Sequence, residues 1–282
     1  MLTDIQKELP YYKDLLKGKI IYCPCDTTVS NFWKYLVSVQ SDWGIKSVTV
    51  THPSTDIVTI SVDNKIIRQK LSTPGTFQSY MCTLILERSD IVITNPPFSL
   101  FRSFVEWLGD KQFLILGNQN AVTQDNIFNL FKENKLWYGV TIHSGDREFV
   151  VPDDYEVRTD NYRIEDGKKI LKVNGVRWFT NLDHGHKPTL ELTKTFSEAE
   201  YPQYDNYPAR EVSKRADIPV DYFAELGVPI TFLDKYNERQ FKIIGNSKQL
   251  AQPVRIEGKI KNPHRFVLNG KILYDRIVIK QK

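Results

Sequence analysis

Residues 90–99 read Asp-Ile-Val-Ile-Thr-Asn-Pro-Pro-Phe-Ser, and four of them are suited to holding a flat polar molecule. Asn95 offers an amide. Pro96 and Pro97 lack an N–H and fix φ at about −65°, so they present carbonyls on a stiff backbone. Phe98 adds an aromatic face. Amide, bare carbonyl and ring held together form a receptor for a planar base bearing an exocyclic amine. At average residue frequencies, Asn-Pro-Pro-Phe arises by chance roughly once per thousand chains of this length, which gives the tetrapeptide weight.

The flanking pattern positions these residues. Ile91, Val92, Ile93 and Thr94 favour β structure and read as a buried strand. Phe101, Phe104, Val105 and Leu108 follow at helical spacing, with Ser99 placed to cap that helix and Gly109 to end it. Residues 95–98 thus occupy the loop after the carboxyl end of a strand, where open α/β sheets bind ligands. A similar unit lies upstream. Residues 19–22 read as strand and 23–28 (Cys-Pro-Cys-Asp-Thr-Thr) as loop. The next helix has Phe32, Trp33, Leu36 and Val37 on its inner face, with Ser30 or Asp26 as cap. Its loop should open on the same crevice, and a helix N-terminus there favours an anionic group. The loop has no G-x-G. Cys23-x-Cys25 lacks both further zinc ligands and redox spacing, so simple packing explains the two thiols equally well.

Elsewhere strands and helices alternate up to about residue 142. A helix over 3–17 is made uneven by Pro10, and a strand spans 47–51. A helix carries Met81, Leu84 and Ile85, a strand spans 112–116, a helix carries Ile127, Leu130 and Phe131, and a strand spans 136–142. This alternation predicts an α/β fold with a doubly wound, mostly parallel sheet. Residues 57–62 and 65–71 around Asp63-Asn64 read as a hairpin on the sheet edge. Asp56, just beyond the second strand, could reach ribose hydroxyls or be a plain loop residue. Past residue 143 the texture changes, and 143–168 is largely polar. Asn174-Gly175 and Asn269-Gly270 each lie between β-favouring runs and predict hairpins. Tyr201, Tyr204, Tyr207, Tyr222 and Phe223 are interleaved with Arg210, Lys214 and Arg215, which suits a nucleic-acid surface or a solvated face with structural tyrosines. His184-Gly185-His186 has no third ligand nearby and reads as a loop.

With 282 residues the chain can hold one large α/β domain and a smaller module. Lys plus Arg number 38 and Asp plus Glu 34, a formal charge of +4. That permits a nucleic-acid partner without arguing for one, so any such surface must come from local clustering. Three cysteines, Cys23, Cys25 and Cys82, and no apolar leader point to the reducing cytoplasm. No run of 18 apolar residues exists, so no membrane span is expected.

Residues 90–101 resemble the amino-methyltransferase catalytic motif as found in the EcoRI-type adenine-specific DNA methyltransferase family. The likeness covers most of the chain. Tyr22-Cys23-Pro24-Cys25-Asp26 and Ser30-Asn31-Phe32 resemble that family's cofactor loop, which likewise lacks glycines. Ile115-Leu116-Gly117-Asn118-Gln119-Asn120-Ala121 and Asn134-Lys135-Leu136-Trp137 match its next two strand regions. Trp178-Phe179-Thr180-Asn181-Leu182, Tyr204-Asp205-Asn206-Tyr207 and Gly227-Val228-Pro229-Ile230-Thr231-Phe232-Leu233-Asp234-Lys235-Tyr236 match its C-terminal half.

The resemblance implies a Rossmann-like class I methyltransferase. Residues 1–142 would be the S-adenosyl-L-methionine-dependent core, and 143–282 the remaining sheet strands with a β-rich target-recognition region. The implied reaction is methylation of the N6 amine of adenine in double-stranded DNA, with the base flipped into the Asn95, Pro96, Pro97 and Phe98 pocket. Tyr22, Cys23, Pro24, Cys25, Asp26, Phe77 and Asn95 are the expected cofactor contacts. Ser99, Arg102, Arg177, Arg210 and Lys214 are the expected nucleic-acid contacts. No metal and no membrane partner is expected, and a cognate restriction endonuclease could accompany the protein as genetic partner. Two features depart from the family pattern. The upstream acidic and aromatic segment that closes over the methionine end of the cofactor would precede this chain's first residue. Gly75-Thr76-Phe77-Gln78-Ser79 stands where the family often has an acid that binds the cofactor adenine. Two alternatives therefore stay open: an amino methyltransferase of RNA bases or protein glutamine, and a degenerate relative that binds nucleic acid without catalysis.

Overall fold

The computed structural model describes residues 2–151, 161–261 and 263–282; within the polar stretch 143–168, positions 152–160 lie outside the described residues. The chain divides into two compact units, one of residues 1–121 and 138–184, the other of 122–137 and 185–282.

The first unit begins with α1 (Leu2–Glu8), a 3-10 turn (Leu9–Tyr12) and α2 (Lys13–Leu16), the uneven helix expected around Pro10. It continues with β1 (Ile20–Cys23), α3 (Asn31–Trp43), β2 (Ser47–Val50), β3 (Ile57–Val62), β4 (Lys65–Lys70), α4 (Tyr80–Arg88), β5 (Ile91–Thr94), α5 (Phe101–Leu108) and β6 (Gln112–Asn118). The two-residue β7 (Trp137–Tyr138) falls where the chain returns to this unit, and β8 (Arg147–Val151), β9 (Tyr162–Glu165), β10 (Lys168–Val173) and β11 (Val176–Thr180) follow.

Eight of these strands make one sheet in the order β4-β3-β2-β1-β5-β6-β11-β7. The pairs β1–β2, β1–β5 and β5–β6 are parallel, while β2–β3, β3–β4 and β6–β11 are antiparallel. The sheet is therefore mixed, with three parallel pairs joining its four central strands and antiparallel pairs outside them, rather than mostly parallel. Its central strands are buried on both faces, because alternate side chains point to opposite sides. Ile21, Cys23, Ile91, Ile93, Leu114, Leu116 and Trp178 join a core with Leu9 and Leu16 of the N-terminal turns and Phe32, Trp33 and Leu36 of α3. On the other face Tyr22 meets Trp107 edge to ring, and Phe101 lies 4.8 Å from Phe179 between centroids. β3 and β4 form the expected edge hairpin, with Asp63 and Asn64 both at positive φ.

The hairpin expected at Asn174-Gly175 does not form. Of its two flanking strands, β10 pairs with β8 and β9, while β11 joins the large sheet antiparallel to β6. A two-residue turn of the expected kind needs both central residues at positive φ, and here Gly175 has it (φ 69°) while Asn174 does not. Burial decides the matter. Every residue of β11 is buried, so it belongs inside a sheet covered on both faces, whereas β10 is half exposed.

The second unit contains α6 (Asp125–Lys132), β12 (Gln203–Tyr204), β13 (Tyr207–Glu211), β14 (Leu226–Pro229), β15 (Phe241–Asn246), α7 (Ser247–Leu250), β16 (Val254–Ile256), β17 (Lys259–Lys261), β18 (Val267–Leu268), β19 (Lys271–Ile272) and β20 (Arg276–Gln281). Its five-stranded sheet runs β12-β13-β14-β20-β15, and β16–β17 and β18–β19 are separate two-stranded hairpins. The Asn269-Gly270 turn forms as the sequence predicts, with φ 51° and 76°. The side chain of Asn206 ties the roots of both hairpins: Nδ2 donates to the Gln252 and Arg265 carbonyls, and Oδ1 accepts from the Val267 N–H.

Candidate active site

β5 ends at Thr94, and residues 95–98 turn outward before a 3-10 turn (Phe98–Leu100) leads into α5. That turn takes the place of a Ser99 cap. The residue preceding α5 is Leu100, no side chain caps the helix, and Ser99 is exposed. Gly109 does end the helix, at φ 54°. The Pro97 carbonyl accepts the Leu100 N–H (2.9 Å). Pro96 is buried, Pro97 exposed and Phe98 half-buried. The side-chain oxygen of Asn95 is shut off from solvent and has no hydrogen-bond partner.

Asn95, Pro96, Pro97 and Phe98 line a cavity of about 310 Å³ with Cys25 from the loop after β1 and His52 and Pro53 from the turn after β2. β8 and β10 contribute Phe149, Val150, Val151, Leu171 and Val173 to the same cavity. Phe149 meets Phe98 edge to ring at 5.9 Å and 85°. The lining is mostly apolar with few polar groups, the usual character of a small-molecule site. His52 is pinned by Ser54, whose N–H donates to Nδ1 (3.1 Å) and whose hydroxyl lies 2.6 Å from the same nitrogen. Partial burial lowers the imidazole pKa, so the ring is neutral at pH 7.

The expected cofactor residues separate into two groups. Cys25 borders the cavity, and burial raises its thiol pKa. Tyr22, Cys23 and Pro24 are buried behind it. The Tyr22 hydroxyl lies 2.7 Å from the Thr51 hydroxyl, and burial raises both the phenol and the Cys23 thiol. Asp26 is 5 % exposed and accepts the Thr94 hydroxyl at 2.6 Å. Burial holds its carboxyl up at about 6, against the lowering effect of the Thr94 and Ser30 hydroxyls. Ser30, not Asp26, caps α3. Phe77 is buried edge-on to Phe104 (5.0 Å) and Trp107 (5.4 Å). Two residues before it, Gly75 packs against the backbone of His52, where a Cβ would lie 2.6 Å from the carbonyl oxygen. Asp56 pairs with Lys70 at 3.3 Å.

Among the expected nucleic-acid contacts, Arg102 is exposed and pairs with Glu106 (3.1 Å), and Lys214 is exposed. Arg177 is 3 % exposed, with its guanidinium donating to the carbonyls of Val176 and His143. This places it inside the first unit rather than on a surface. Arg210 in the second unit bonds the Tyr201 carbonyl and Glu198 and lies over the Phe196 ring. Tyr201 and Tyr204 are buried, and Tyr204 stacks on Phe266 at 4.4 Å, so both tyrosines are structural. His52, Phe149, Leu171 and Val173 were not legible as site residues. Phe149 sits in a largely polar stretch, and its alternating Arg-Glu-Phe-Val-Val run is the sole local hint of a strand.

A mixed α/β unit with a large sheet of parallel and antiparallel strands is consistent with a methyltransferase fold. A family model described as adenine-specific methyltransferase EcoRI matches residues 1–65 and 54–282. The chain is 37 % identical to the Type II methyltransferase M.EcoRI of Escherichia coli over 316 residues, covering 99 % of this chain and 91 % of that protein. It is 38 % identical to the Type II methyltransferase M.MpnI of Mycoplasma pneumoniae over 299 residues, covering 100 % and 93 %. M.MgeORF184P of Mycoplasma genitalium is 34 % identical over 304 residues, covering 100 % and 94 %. No solved structure gives a significant match. The chain belongs to the EcoRI-type adenine-specific DNA methyltransferase family.

Proposed function

We propose that this chain transfers the methyl group of S-adenosyl-L-methionine to the N6 amine of adenine in double-stranded DNA. The Asn95 side-chain oxygen carries the reading, being a buried acceptor without a partner beside an apolar cavity. Such an acceptor costs about 1–3 kcal/mol until a donor meets it, so the loop favours an amine. Cys25, His52 and Pro53 bound the same cavity, so a cofactor held there would lie alongside that amine.

S-adenosylmethionine, when bound, supplies an electrophilic methyl on a sulfonium. The amine of adenine is a weak nucleophile because its lone pair is delocalised into the ring. Asn95 Oδ1 and the Pro96 carbonyl accept its two N–H groups and direct the lone pair out of the ring plane. Pro96 takes this role because the Pro97 carbonyl already holds the Leu100 N–H. Phe98 stacks on the base, and Phe149 closes the pocket from β8. The proton lost after alkylation is acidic, so no strong base is required, and catalysis consists of alignment and electrostatics. The base must leave the duplex to enter the pocket.

On this reading the four parallel strands and their helices are a Rossmann-like class I core, with both loops at its carboxyl edge. The second unit supplies target recognition. Arg255, Lys259 and Lys271, exposed on its two C-terminal hairpins, take over phosphate contact from the engaged Arg177 and Arg210, alongside Ser99, Arg102 and Lys214. The enzyme would act on DNA in the cytoplasm, and a cognate restriction endonuclease is its expected genetic partner.

The test is incubation with labelled cofactor and separate DNA, RNA and protein acceptors. N6-methyladenine in duplex DNA is the expected product. Asn95→Ala should abolish transfer while the circular dichroism spectrum stays unchanged. Label on RNA or glutamine alone, or an active Asn95→Ala protein, would overturn the proposal.

A further inference from the structure

We propose that Asp26 and Thr94 form a positioning pair, which sets the loop carrying Asn95 against the loop of residues 24–29 and acts on the methyl-transfer step, not on cofactor affinity. The inference rests on the methyltransferase reading above. Thr94 is wholly buried at the end of β5, and its carbonyl carbon is bonded directly to the nitrogen of Asn95. Its hydroxyl donates to Asp26 Oδ2 at 2.6 Å, across 68 residues of chain. The Asp26 N–H donates to the Thr51 carbonyl just past β2 (3.1 Å). One residue therefore joins the loop after β1 to the ends of β2 and β5. Cys25 forms the cavity wall and Asp26 lies behind it, so the carboxyl can fix geometry without touching what the cavity holds.

The ionised carboxyl accepts the Thr94 hydroxyl. Once protonated it is a weaker acceptor and carries a donor of its own, so the tie to Thr94 must rearrange. Its titratable neighbours are the thiols of Cys23 and Cys25, both held protonated by burial, with Cys82 of α4 beyond Cys25. Neither Cys23 nor Cys25 is charged at neutral pH. Burial places the Asp26 carboxyl at about 6, so the rearrangement falls within the range of an ordinary assay.

The experiment uses the full chain, labelled S-adenosylmethionine and genomic DNA lacking adenine methylation. Single-turnover rates are measured across pH, and cofactor dissociation constants by calorimetry. Thr94→Val should lower the rate about ten- to hundredfold, as a small misplacement of reacting groups does. It should leave cofactor affinity within about threefold, and Thr94→Ser should recover most of the rate. The wild-type rate should fall below about pH 6, and Asp26→Asn should remove that acid limb. A Thr94→Val protein that transfers at the wild-type rate, or whose cofactor affinity drops in proportion to its rate, would overturn the inference. A wild-type protein that transfers no methyl to DNA would overturn the methyltransferase reading itself, and the pair's role with it.

Discussion

Phe149 and Phe98 approach edge to ring across the cavity, and such pairs contribute about 0.5–1.5 kcal/mol beyond their buried area. If Phe149 closes the base pocket, Phe149→Ala should lower kcat/KM for DNA about tenfold, within the cost of truncating a packed aromatic. Cofactor affinity should change little, and fluorescence of 2-aminopurine at the target position would report weaker retention of the flipped base. Asp26 adds a prediction about stability. Its carboxyl lies at about 6 in the fold against 3.8 for a free aspartate, so the native protein binds more protons than the unfolded chain between those values. Stability should therefore fall as pH rises from about 4 to 6 and level off above, at a cost on the order of 3 kcal/mol. Asp26→Asn should be the more stable protein in urea at pH 8, with that pH dependence gone. A gain in stability together with an altered transfer rate is the pattern of a residue retained for function rather than for folding.

At the scale of elements, what the sequence made legible follows burial. The loop at residues 95–98 and the strand and helix around it were readable because β5 is β-favouring and buried throughout and α5 has a clean apolar stripe. Asp63-Asn64 and Asn269-Gly270 turned as predicted because both central residues reach positive φ between strands that pair. Asn174-Gly175 misled because local turn chemistry cannot report that β11 is buried on both faces and belongs beside β6. The cavity wall from β8 and β10 was unreadable for a related reason, since its partners at the loop are more than 50 positions away in sequence. The Tyr204 to Tyr207 turn gives an element-scale test. Asn206 holds three main-chain groups from two hairpins while itself 6 % exposed. Asn206→Ala leaves them unpaired and should cost about 2–4 kcal/mol, read as a lower urea midpoint. It should also loosen the β16–β17 and β18–β19 hairpins, read as faster amide exchange, while methyl transfer to a short single-stranded acceptor suffers less than transfer to duplex DNA.

For the whole molecule, a net charge of +4 is too small to bring the chain to DNA by itself, so affinity has to come from where the cations sit. Residues 254–274 hold five Lys and Arg against one Glu, on two hairpins whose roots are tied by one buried asparagine. Arg255, Lys259 and Lys271 are exposed there, whereas Lys261 pairs with Glu257 and Arg265 with Asp275. A cation that meets a phosphate releases condensed counterions and so steepens the dependence of binding on salt. Replacing Arg255, Lys259 and Lys271 together with Gln should weaken duplex binding at every sequence. It should also reduce the slope of log affinity against log salt by about one for each lost phosphate contact. The buried Arg177 makes the contrasting control. Its guanidinium serves two main-chain carbonyls, so Arg177→Met should lower the unfolding midpoint and leave the salt slope of the folded fraction unchanged. A triple hairpin variant with an unaltered slope would move DNA recognition to another surface of the chain, because a phosphate contact cannot be lost without a change in counterion release.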